Sequence, residues 1–321
     1  MPSAPFDLVV ICGPNASGKT RLGVDLAGRC GGEIISVDSR QVYRGLDLGS
    51  GKDLEEYETP DGPIPYHLID IADPHEVYSL WHFVEDFSHA FADIARRGQL
   101  PVAVGGTGLY LEAVLQGYEV PEVPPDEPLR RELMSRPHFE LEEQLKKLDP
   151  ERFRLADTTS KKRTVRALEI ALARQAGTAR IRRATAPGNP LVVGVRWDRA
   201  ILRQRIERRL DQRLSEGLLE EVERLMEAGI GLARLEQLGM EYRHLGRHLA
   251  GQVSFEQMRA DLLQSIGKLA KRQDTWFRGM DRRGIPVHWV EGCDPLAAAD
   301  QIEGLVRSTA SGAAHGLEDG S

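Results

Sequence analysis

The sequence predicts an α/β fold in which helices flank a parallel sheet and a helical segment is inserted. Short, continuously apolar runs alternate with amphipathic helical patterns, which is typical of parallel strands covered on both faces. A glycine-rich phosphate-binding pattern directly follows the first apolar run. From residue 122 to 186 the pattern becomes helical, after a proline-rich break.

The elements follow from hydrophobic periodicity. The predicted strands are 7–12, 33–37, 66–71, 101–104, 191–196 and 286–290. The predicted helices are 129–135, 140–148, 160–175, 199–228 and 254–278, and residues 177–190 are predicted to form a mobile connection. The chain is predicted to divide into a first core segment (residues 1–121), a helical insertion (122–186), a second core segment (187–309) and a disordered tail (310–321).

Composition describes an ordinary globular chain. Of 321 residues, 41% are hydrophobic and 28% charged, and no run approaches the roughly 18 apolar residues of a membrane span. The N-terminus has no signal-like pattern, which favours a cytoplasmic protein. The three cysteines lie far apart, which argues against a disulfide framework or a zinc site. We expect a monomer without a membrane partner.

The charge is unevenly distributed. The net charge is −7, yet residues 161–213 contain fifteen Lys or Arg against four Asp or Glu. A concentrated positive segment in an acidic chain is a candidate site for a polyanion. A solvated basic helix surface explains the charge equally well.

Residues 13–20 read Gly-Pro-Asn-Ala-Ser-Gly-Lys-Thr, the eight-residue P-loop pattern. Its glycines let successive backbone N–H groups converge on phosphate oxygens, Lys19 adds a positive charge, and the Thr20 hydroxyl is placed to hold Mg²⁺. With the parallel sheet, this pattern predicts a P-loop NTPase-like core that grips a diphosphate group. The pattern does not distinguish ATP from another diphosphate.

An acid follows the second predicted strand, at Asp38. Such a carboxylate can position Mg²⁺ or accept a proton from a substrate nitrogen or hydroxyl. Arg40 and Gln41 add donors for a planar heterocycle or a phosphate. A surface loop that happens to contain an Asp is the alternative.

Two further segments carry weaker signals. The glycine-rich turn 105–110 either admits a ligand close to the main chain or simply reverses the chain. In the helix 160–175, Arg163 and Arg166 share one face and can clamp phosphates, or only face solvent.

Basic and aromatic residues alternate between 268 and 278. We expect Trp276 and Phe277 to be buried, with Lys271 and Arg272 facing phosphate.

Taken in order, these motifs resemble the tRNA dimethylallyltransferases. The resemblance spans roughly residues 7 to 290 and rests on 13–20, Asp-Ser-Arg-Gln-Val-Tyr-Arg-Gly-Leu-Asp at 38–47, His-Leu-Ile-Asp at 67–70, Gly-Gly-Thr-Gly-Leu-Tyr at 105–110, Arg-Ala-Leu-Glu at 166–169, Gly-Leu-Leu-Glu-Glu-Val at 217–222 and Ala-Lys-Arg-Gln-Asp-Thr-Trp-Phe-Arg at 270–278. It implies transfer of a dimethylallyl group from its diphosphate to N6 of the adenosine 3′ to the tRNA anticodon.

The resemblance assigns roles to residues. Asp38, Lys19 and Thr20 would be catalytic, with Thr20 holding Mg²⁺ and Asp38 accepting a proton from the exocyclic amine. The donor diphosphate would contact Gly13, Pro14, Asn15, Ala16, Ser17, Gly18, Lys19, Thr20, Arg205 and Arg209. The tRNA anticodon stem-loop would contact Asp38, Ser39, Arg40, Gln41, Thr107, Arg130, Lys162, Arg163, Thr164, Val165, Arg166, Lys271 and Arg272. The target base would have to leave the loop stack to reach the diphosphate.

The chain departs from the usual family pattern at four places. Asn15 replaces a Thr, Tyr66 replaces a His, Ser50-Gly-Lys-Asp53 replaces Thr-Ala-Lys-Pro, and 239–243 is a variant of a Gly-Tyr-Lys-Glu-like stretch. Asn15 bears on donor preference. None of these changes removes a charged group that the reaction needs.

Three other functions fit the residues less well. A small-molecule P-loop kinase would use ATP, with Asp38 as the base toward a hydroxyl. A prenyltransferase could act on free adenine nucleotides, but the long basic second half favours a macromolecular acceptor over both. A non-catalytic RNA-binding module would have no need of an intact Lys19, Thr20 and Asp38.

Overall fold

The computed structural model describes residues 6–312, in two compact units. The smaller unit is Tyr118–Ala184, and the larger consists of the described residues before and after it. The smaller unit begins four residues before the insertion predicted at 122–186 and ends two residues before its end. The predicted tail, 310–321, lies outside the described residues beyond Gly312.

The described residues contain ten strands. In chain order they are β1 (Leu8–Cys12), β2 (Gly32–Val37), β3 (Glu58–Thr59), β4 (Gly62–Pro63), β5 (Tyr66–His67), β6 (Leu100–Gly105), β7 (Glu119–Glu122), β8 (Arg180–Arg183), β9 (Pro190–Arg196) and β10 (His288–Glu291). Six of them form a parallel sheet in the order β10-β9-β1-β6-β2-β5. This sheet confirms the predicted α/β class.

The central strands are buried along their whole length because both faces of the sheet are covered, and Glu33 and Ser36 of β2 are the polar side chains among them. Every residue of β1, β2 and β6 is buried. The strand predicted at 66–71 is shorter in the structure, since only β5 pairs with β2. Leu68 and Asp70 have φ of 63° and 57°, a left-handed backbone that ends the extended strand.

The described residues also contain thirteen α-helices. They are α1 (Lys19–Cys30), α2 (Leu80–Arg96), α3 (Gly108–Leu115), α4 (Glu127–Ser135), α5 (His138–Leu148), α6 (Pro150–Leu155), α7 (Lys161–Gln175), α8 (Arg199–Ser215), α9 (Leu218–Glu227), α10 (Leu232–Leu238), α11 (Met240–Leu249), α12 (Phe255–Arg278) and α13 (Pro295–Gly312). None of these helices is long and apolar enough to cross a membrane.

The helix predicted at 199–228 is two helices. Gly217 has a φ of 103°, which glycine adopts without the steric cost of a side chain, and it separates α8 from α9. The apolar pattern continues on both sides of the break. Periodicity alone therefore could not reveal it.

Two apolar clusters lie among the described residues of the larger unit. One packs α1 and α13 against the sheet around Val9, Ile34 and Val193. The other joins α8–α12 to the segment after β2, around Tyr43, Leu210 and Tyr242. The second cluster fixes the long helices against the loops that follow the strands.

The smaller unit packs α4–α7 around its own apolar cluster, in which Leu141, Leu145 and Leu168 are fully buried. Some of the segment predicted as a mobile connection, 177–190, is ordered instead. It contains β8, which pairs antiparallel with β7. No strand signal is visible in the sequence at β8 because three of its four residues are arginines.

Candidate active site

Three loops leave the sheet at one edge. In the strand register Cys12, at the end of β1, lies beside Gly105, at the end of β6, and Gly105 lies beside Val37, at the end of β2. Gly105 must be a glycine, because a side-chain carbon there would collide with the carbonyl oxygen of Val37. The P-loop 13–20, Asp38 and the turn 105–108 therefore start side by side at the carboxyl edge.

Distant side chains hold the P-loop in shape. The Asn15 N–H donates to Oε1 of Gln273 at 2.9 Å. Nε1 of Trp197 donates to the carbonyl of Ser17 at 2.9 Å, and Nε of Arg205 donates to the carbonyl of Ala16 at 2.9 Å. The loop is thus preorganised by residues from two other regions of the chain.

The local backbone of the P-loop suits an anion. Ala16 and Gly18 adopt left-handed φ values of 61° and 82°, and α1 begins immediately afterwards at Lys19. The N–H groups and the dipole at this helix start favour negative charge. No acidic residue lies in the first turn of α1 to compete with it.

The catalytic residues predicted from sequence share one cavity. Lys19, Thr20 and Asp38 all line it, together with Arg40 and Gln41. The same cavity is also lined by residues that sequence analysis did not select: Gly49, Ser50, Gly51, Tyr57, Arg213, Glu241, Leu269 and Gln273. The P-loop lysine and an acid therefore line the same cavity.

Burial, and then the charge of the neighbouring Arg209, lower the pKa of the Lys19 ammonium to about 8, while Asp38 and Asp53 oppose the shift. A desolvated cation without a full counter-charge gains most from an anion. A phosphate anion beside Lys19 would therefore stabilise its charged form.

We expect the affinity for inorganic pyrophosphate to fall as the pH rises above about 8. A bound anion raises the pKa of Lys19 from about 8, so binding takes up a proton, and free Lys19 loses that proton at high pH. Calorimetric titrations between pH 7 and 10 measure the effect. The variant Lys19→Met corrects for titration of the ligand itself, and an equally steep fall in that variant would contradict the assignment.

The Asp38 carboxylate faces the cavity from a tight turn. Its Oδ1 accepts the Arg40 N–H at 2.8 Å, which leaves Oδ2 available. The adjacent Ser39 N–H donates to Oγ1 of Thr107 at 3.3 Å, which ties this turn to the loop after β6. The turn fixes where the acid lies.

Two residues predicted to contact RNA are engaged inside the protein. Gln41 donates from Nε2 to the carbonyl of Gly51 at 2.8 Å and accepts from Oγ of Ser36 at 2.6 Å. Thr107 accepts the Ser39 N–H. Both side chains position the loops around the cavity.

Arg205, Arg209 and Arg213 lie on one face of α8. Arg205 stacks over Trp197 at 4.3 Å, and NH1 of Arg209 lies 3.5 Å from Oδ1 of Asn15. Arg213 was not selected from the sequence, although its spacing of four residues from Arg209 places it on the same face. Burial, and then the charge of Arg213, lower the pKa of Arg209. The three arginines extend the cationic surface of the P-loop.

Glu241 and Gln273 were also missed. Burial raises the pKa of the Glu241 carboxyl, and the nearby Asp38 raises it too, against the charge of Arg213. Gln273 bridges two loops, because Nε2 donates to the carbonyl of Gly106 at 3.0 Å while Oε1 accepts from Asn15. Each lies in a segment that the family pattern covers, 239–243 or 270–278, but neither segment by itself indicates which of its residues enters the cavity.

The residues present fit a magnesium ion that is shared with a phosphate ligand. The Thr20 hydroxyl lines the cavity beside Lys19 and Asp38, and the buried Oγ of Ser17 has no hydrogen-bond partner. Within residues 6–312 no cluster of three or more His, Cys, Asp or Glu could hold a metal. A magnesium ion here would take most of its ligands from phosphate oxygens and water, as it often does.

In the smaller unit the predicted RNA contacts fall into two groups. Lys162 and Arg163 are exposed on α7. Thr164 and Val165 are 0% and 3% exposed, so the prediction that their side chains touch RNA is wrong. The Thr164 hydroxyl bonds Nε2 of His138 at 2.9 Å, and Val165 packs in the apolar cluster. The helical period that exposes two residues buries the next two.

Arg130 and Arg166 converge on one buried acid, Glu169. Arg130 reaches it with Nε at 2.6 Å and NH2 at 3.0 Å, and Arg166 with NH1 at 3.1 Å. The Glu169 side chain is 1% exposed, whereas both arginines are about a third exposed. The acid therefore holds two guanidinium groups at the surface of the unit.

We expect Glu169→Gln to lower the free energy of unfolding by about 2 kcal/mol, because the amide cannot satisfy two guanidinium groups. Urea denaturation followed by circular dichroism measures it. Glu140→Gln is the matched control, since that acid lies 3.6 Å from Arg136 at an exposed site and should cost less than about 0.5 kcal/mol. Equal effects of the two changes would refute the role of Glu169.

On α12, Lys271 and Arg272 are exposed, while the expected burial of both aromatics is half right. Phe277 is fully buried, but Trp276 is 37% exposed and lies 5.0 Å beneath the guanidinium of Arg283. Adjacent helical residues point about 100° apart, so one face cannot bury both.

The chain matches known protein families over the residues that form the site. The family described as IPP transferase matches residues 41–280, and that described as isopentenyl transferase matches 6–59. The chain is 50% identical to tRNA dimethylallyltransferase 1 of Geotalea daltonii over 92% of this chain and 94% of that protein. The chain belongs to the IPP transferase family. It is thus a prenyl-transferring enzyme.

Other members of the IPP transferase family are similar to this chain over most of its length. tRNA dimethylallyltransferase 2 of Syntrophotalea carbinolica is 48% identical over 94% of this chain and 98% of that protein. The full-length tRNA isopentenylpyrophosphate transferase of Bacillus halodurans superposes with a TM-score of 0.68 at 34% identity, covering 96% and 99% of the two chains. These neighbours confirm the P-loop NTPase-like fold.

A eukaryotic dimethylallyltransferase solved acting on tRNA shares the fold of this IPP transferase family member. It superposes with a TM-score of 0.71 at 24% identity, covering 95% of this chain and 77% of that one.

Proposed function

We propose that this enzyme transfers a dimethylallyl group from dimethylallyl diphosphate to N6 of the adenosine 3′-adjacent to the anticodon of a tRNA. One observation carries the proposal: Lys19 of the P-loop, Arg209 of α8 and Asp38 line a single cavity at the carboxyl edge of the sheet. A diphosphate bound to the P-loop and a base held near Asp38 would share this cavity, which supports transfer from the one to the other. The family names support a tRNA acceptor.

In the proposed reaction N6 attacks C1 of the dimethylallyl group, and the bond from C1 to the diphosphate oxygen breaks. Negative charge grows on the departing diphosphate, where Lys19, the P-loop N–H groups and Arg209 stabilise it. These groups are already positioned before substrate arrives, so little reorganisation is needed at the moment of reaction. Thr20 would hold Mg²⁺, which would supply further charge neutralisation.

Asp38 takes the proton that the exocyclic amine loses as the new N–C bond forms. The amine of adenine is a poor nucleophile because its lone pair is conjugated with the ring, so a fixed acceptor contributes directly to the rate. The turn at Arg40 holds the carboxylate in place. Glu241 and Gln273 complete the wall of the same cavity.

Exposed cations are proposed to bind the anticodon stem-loop. On the smaller unit these are Lys162 and Arg163, together with the partly exposed Arg130 and Arg166. On the larger unit Lys271 and Arg272 are exposed. Contacts of this kind position RNA through its phosphates and weaken with salt. Monomeric state and cytoplasmic location stay predictions.

Single-turnover transfer of labelled dimethylallyl diphosphate to a tRNA with adenosines 3′ of its anticodon tests the proposal. We expect label on that one adenosine only, and only with Mg²⁺. ATP as a competing ligand and free AMP as an alternative acceptor are the controls. Phosphorylation of a small molecule from ATP, with no transfer of label, would replace the proposal by a kinase. Label on AMP but not on tRNA would indicate a nucleotide prenyltransferase.

A further inference from the structure

The Asp53 carboxylate forms ion pairs with Arg209 and Arg213, two arginines of the cationic surface. Arg209 donates to Oδ2 of Asp53, and NH2 of Arg213 lies 3.0 Å from Oδ1. The Asp53 side chain is 21% exposed and that of Arg213 is 11% exposed, so water screens the pairs only partly. The same arginine, Arg209, approaches Asn15 of the P-loop.

The backbone around Asp53 is fixed by its neighbours. Nζ of the buried Lys52 contacts Asp70, Oδ1 of Asp47 at 2.6 Å and the carbonyl of Tyr43 at 2.9 Å. Asp53 itself has a φ of 46°, a left-handed conformation that a non-glycine residue adopts only when its surroundings require it. The carboxylate is therefore held at the arginines.

A second buried acid fixes the start of the same loop. Glu221 accepts the N–H groups of Asp47 at 3.1 Å, Leu48 at 2.7 Å and Gly49 at 3.1 Å. The hydroxyl of Tyr242 donates to the same carboxylate at 2.8 Å. The loop 47–53 is therefore held near both ends, and its Asp53 side chain pairs with the arginines.

An incoming diphosphate would compete with the Asp53 carboxylate for Arg209 and Arg213. Lys19, Arg209 and Arg213 line one cavity, and Asp53 lies among Arg209 and Arg213 where a second anion would be repelled. Guanidinium groups bind a carboxylate and a phosphate through the same N–H donors. Both anions cannot use the same donors at once.

We propose that Asp53 is an internal counter-ion of the donor site, which occupies Arg209 and Arg213 until a diphosphate displaces it. The proposal rests on the proposed function, because it assigns the displacing ligand as a diphosphate. Asp53 keeps the two arginines ordered and partly neutralised in the empty site. It also weakens the hold on free pyrophosphate, the more highly charged product, and so favours its release.

Calorimetric titration of the full-length protein with inorganic pyrophosphate, with and without Mg²⁺, tests this role. We expect Asp53→Asn to bind pyrophosphate about tenfold more tightly than the wild type, since one like charge leaves a partly buried anion site. In steady-state transfer the same variant should show stronger inhibition by pyrophosphate. Asp53→Gly is the second variant, because glycine tolerates the left-handed backbone if the Asn variant fails to fold.

Asp211→Asn is the matched control. Asp211 lies on the same helix as Arg209 and Arg213, but it pairs with Arg259, 2.7 Å away. That change removes one negative charge from α8 and should leave pyrophosphate affinity within about twofold. A comparable tightening in this control would mean that net charge alone is responsible, which overturns the proposal.

The remaining outcomes separate this inference from the proposed function. Unchanged or weaker pyrophosphate binding by Asp53→Asn, with a wild type that binds, would overturn the counter-ion role alone. Weaker binding only in the presence of Mg²⁺ would identify Asp53 as a metal ligand instead. A wild type that transfers no dimethylallyl group and binds no pyrophosphate would overturn both.

Discussion

Asp38→Asn is expected to slow dimethylallyl transfer by a factor of about 10²–10⁴, the usual contribution of a positioned general base. The Asn oxygen can still accept the Arg40 N–H, so the turn that holds the residue persists. The amide cannot take the proton that N6 loses. Single-turnover transfer under saturating tRNA measures the rate, and affinity for tRNA is expected to change by less than about threefold if only the chemical step depends on the carboxylate.

Asp73→Asn is a close control for this change. Oδ1 of Asp73 accepts the His75 N–H at 2.8 Å, the same turn that Asp38 makes with Arg40, but Asp73 does not line the cavity. Its substitution should leave transfer unaffected. Loss of tRNA binding together with loss of transfer in Asp38→Asn would show that Asp38 supports the fold or the RNA contact, and not the proton transfer.

Lys19→Met is expected to reduce transfer by about 10²–10³, as removal of one preorganised charge donor does in other sites of this kind. Methionine keeps much of the apolar stem and removes only the ammonium, so the P-loop, held by Gln273 and Trp197, should keep its shape. The loss should appear in binding of pyrophosphate as well as in the rate of transfer. Calorimetry and single-turnover kinetics measure the two effects separately.

Lys146→Met is the control for Lys19→Met, because Lys146 is an exposed lysine of the smaller unit. It should not change the affinity for pyrophosphate. Normal pyrophosphate affinity in Lys19→Met would show that this lysine does not contact the leaving group, and the assignment of the P-loop to the donor diphosphate would then be lost.

Much of the fold was predictable because it depends on local patterns. Five of the six predicted strands match within a few residues. The inner strands β1 and β6 are buried on both faces and form the continuous apolar runs that identify them. The prediction failed where a local signal was missing or misleading. Arginines conceal β8, and the apolar run that begins at Tyr66 continues past the two residues that pair.

The candidate site divides in the same way. The P-loop and Asp38 were found because each is a short segment placed by its own strand, and the register brings the strand ends together. Arg213 could have been predicted as well, because it lies four residues after Arg209 on the same helix. Asp53, Glu241 and Gln273 could not, because the family pattern covers their segments without indicating which residue of each segment reaches the site.

The sequence by itself determined the α/β class, the phosphate-binding loop, the acid beside it and the family resemblance, because contiguous residues and strand order encode all four. Only the tertiary structure decided which further groups meet them. Gln273 is 258 residues from Asn15, and Arg213 is 160 residues from Asp53. Whether such residues touch depends on how helices pack against the sheet, through many weak apolar contacts that no single segment contains.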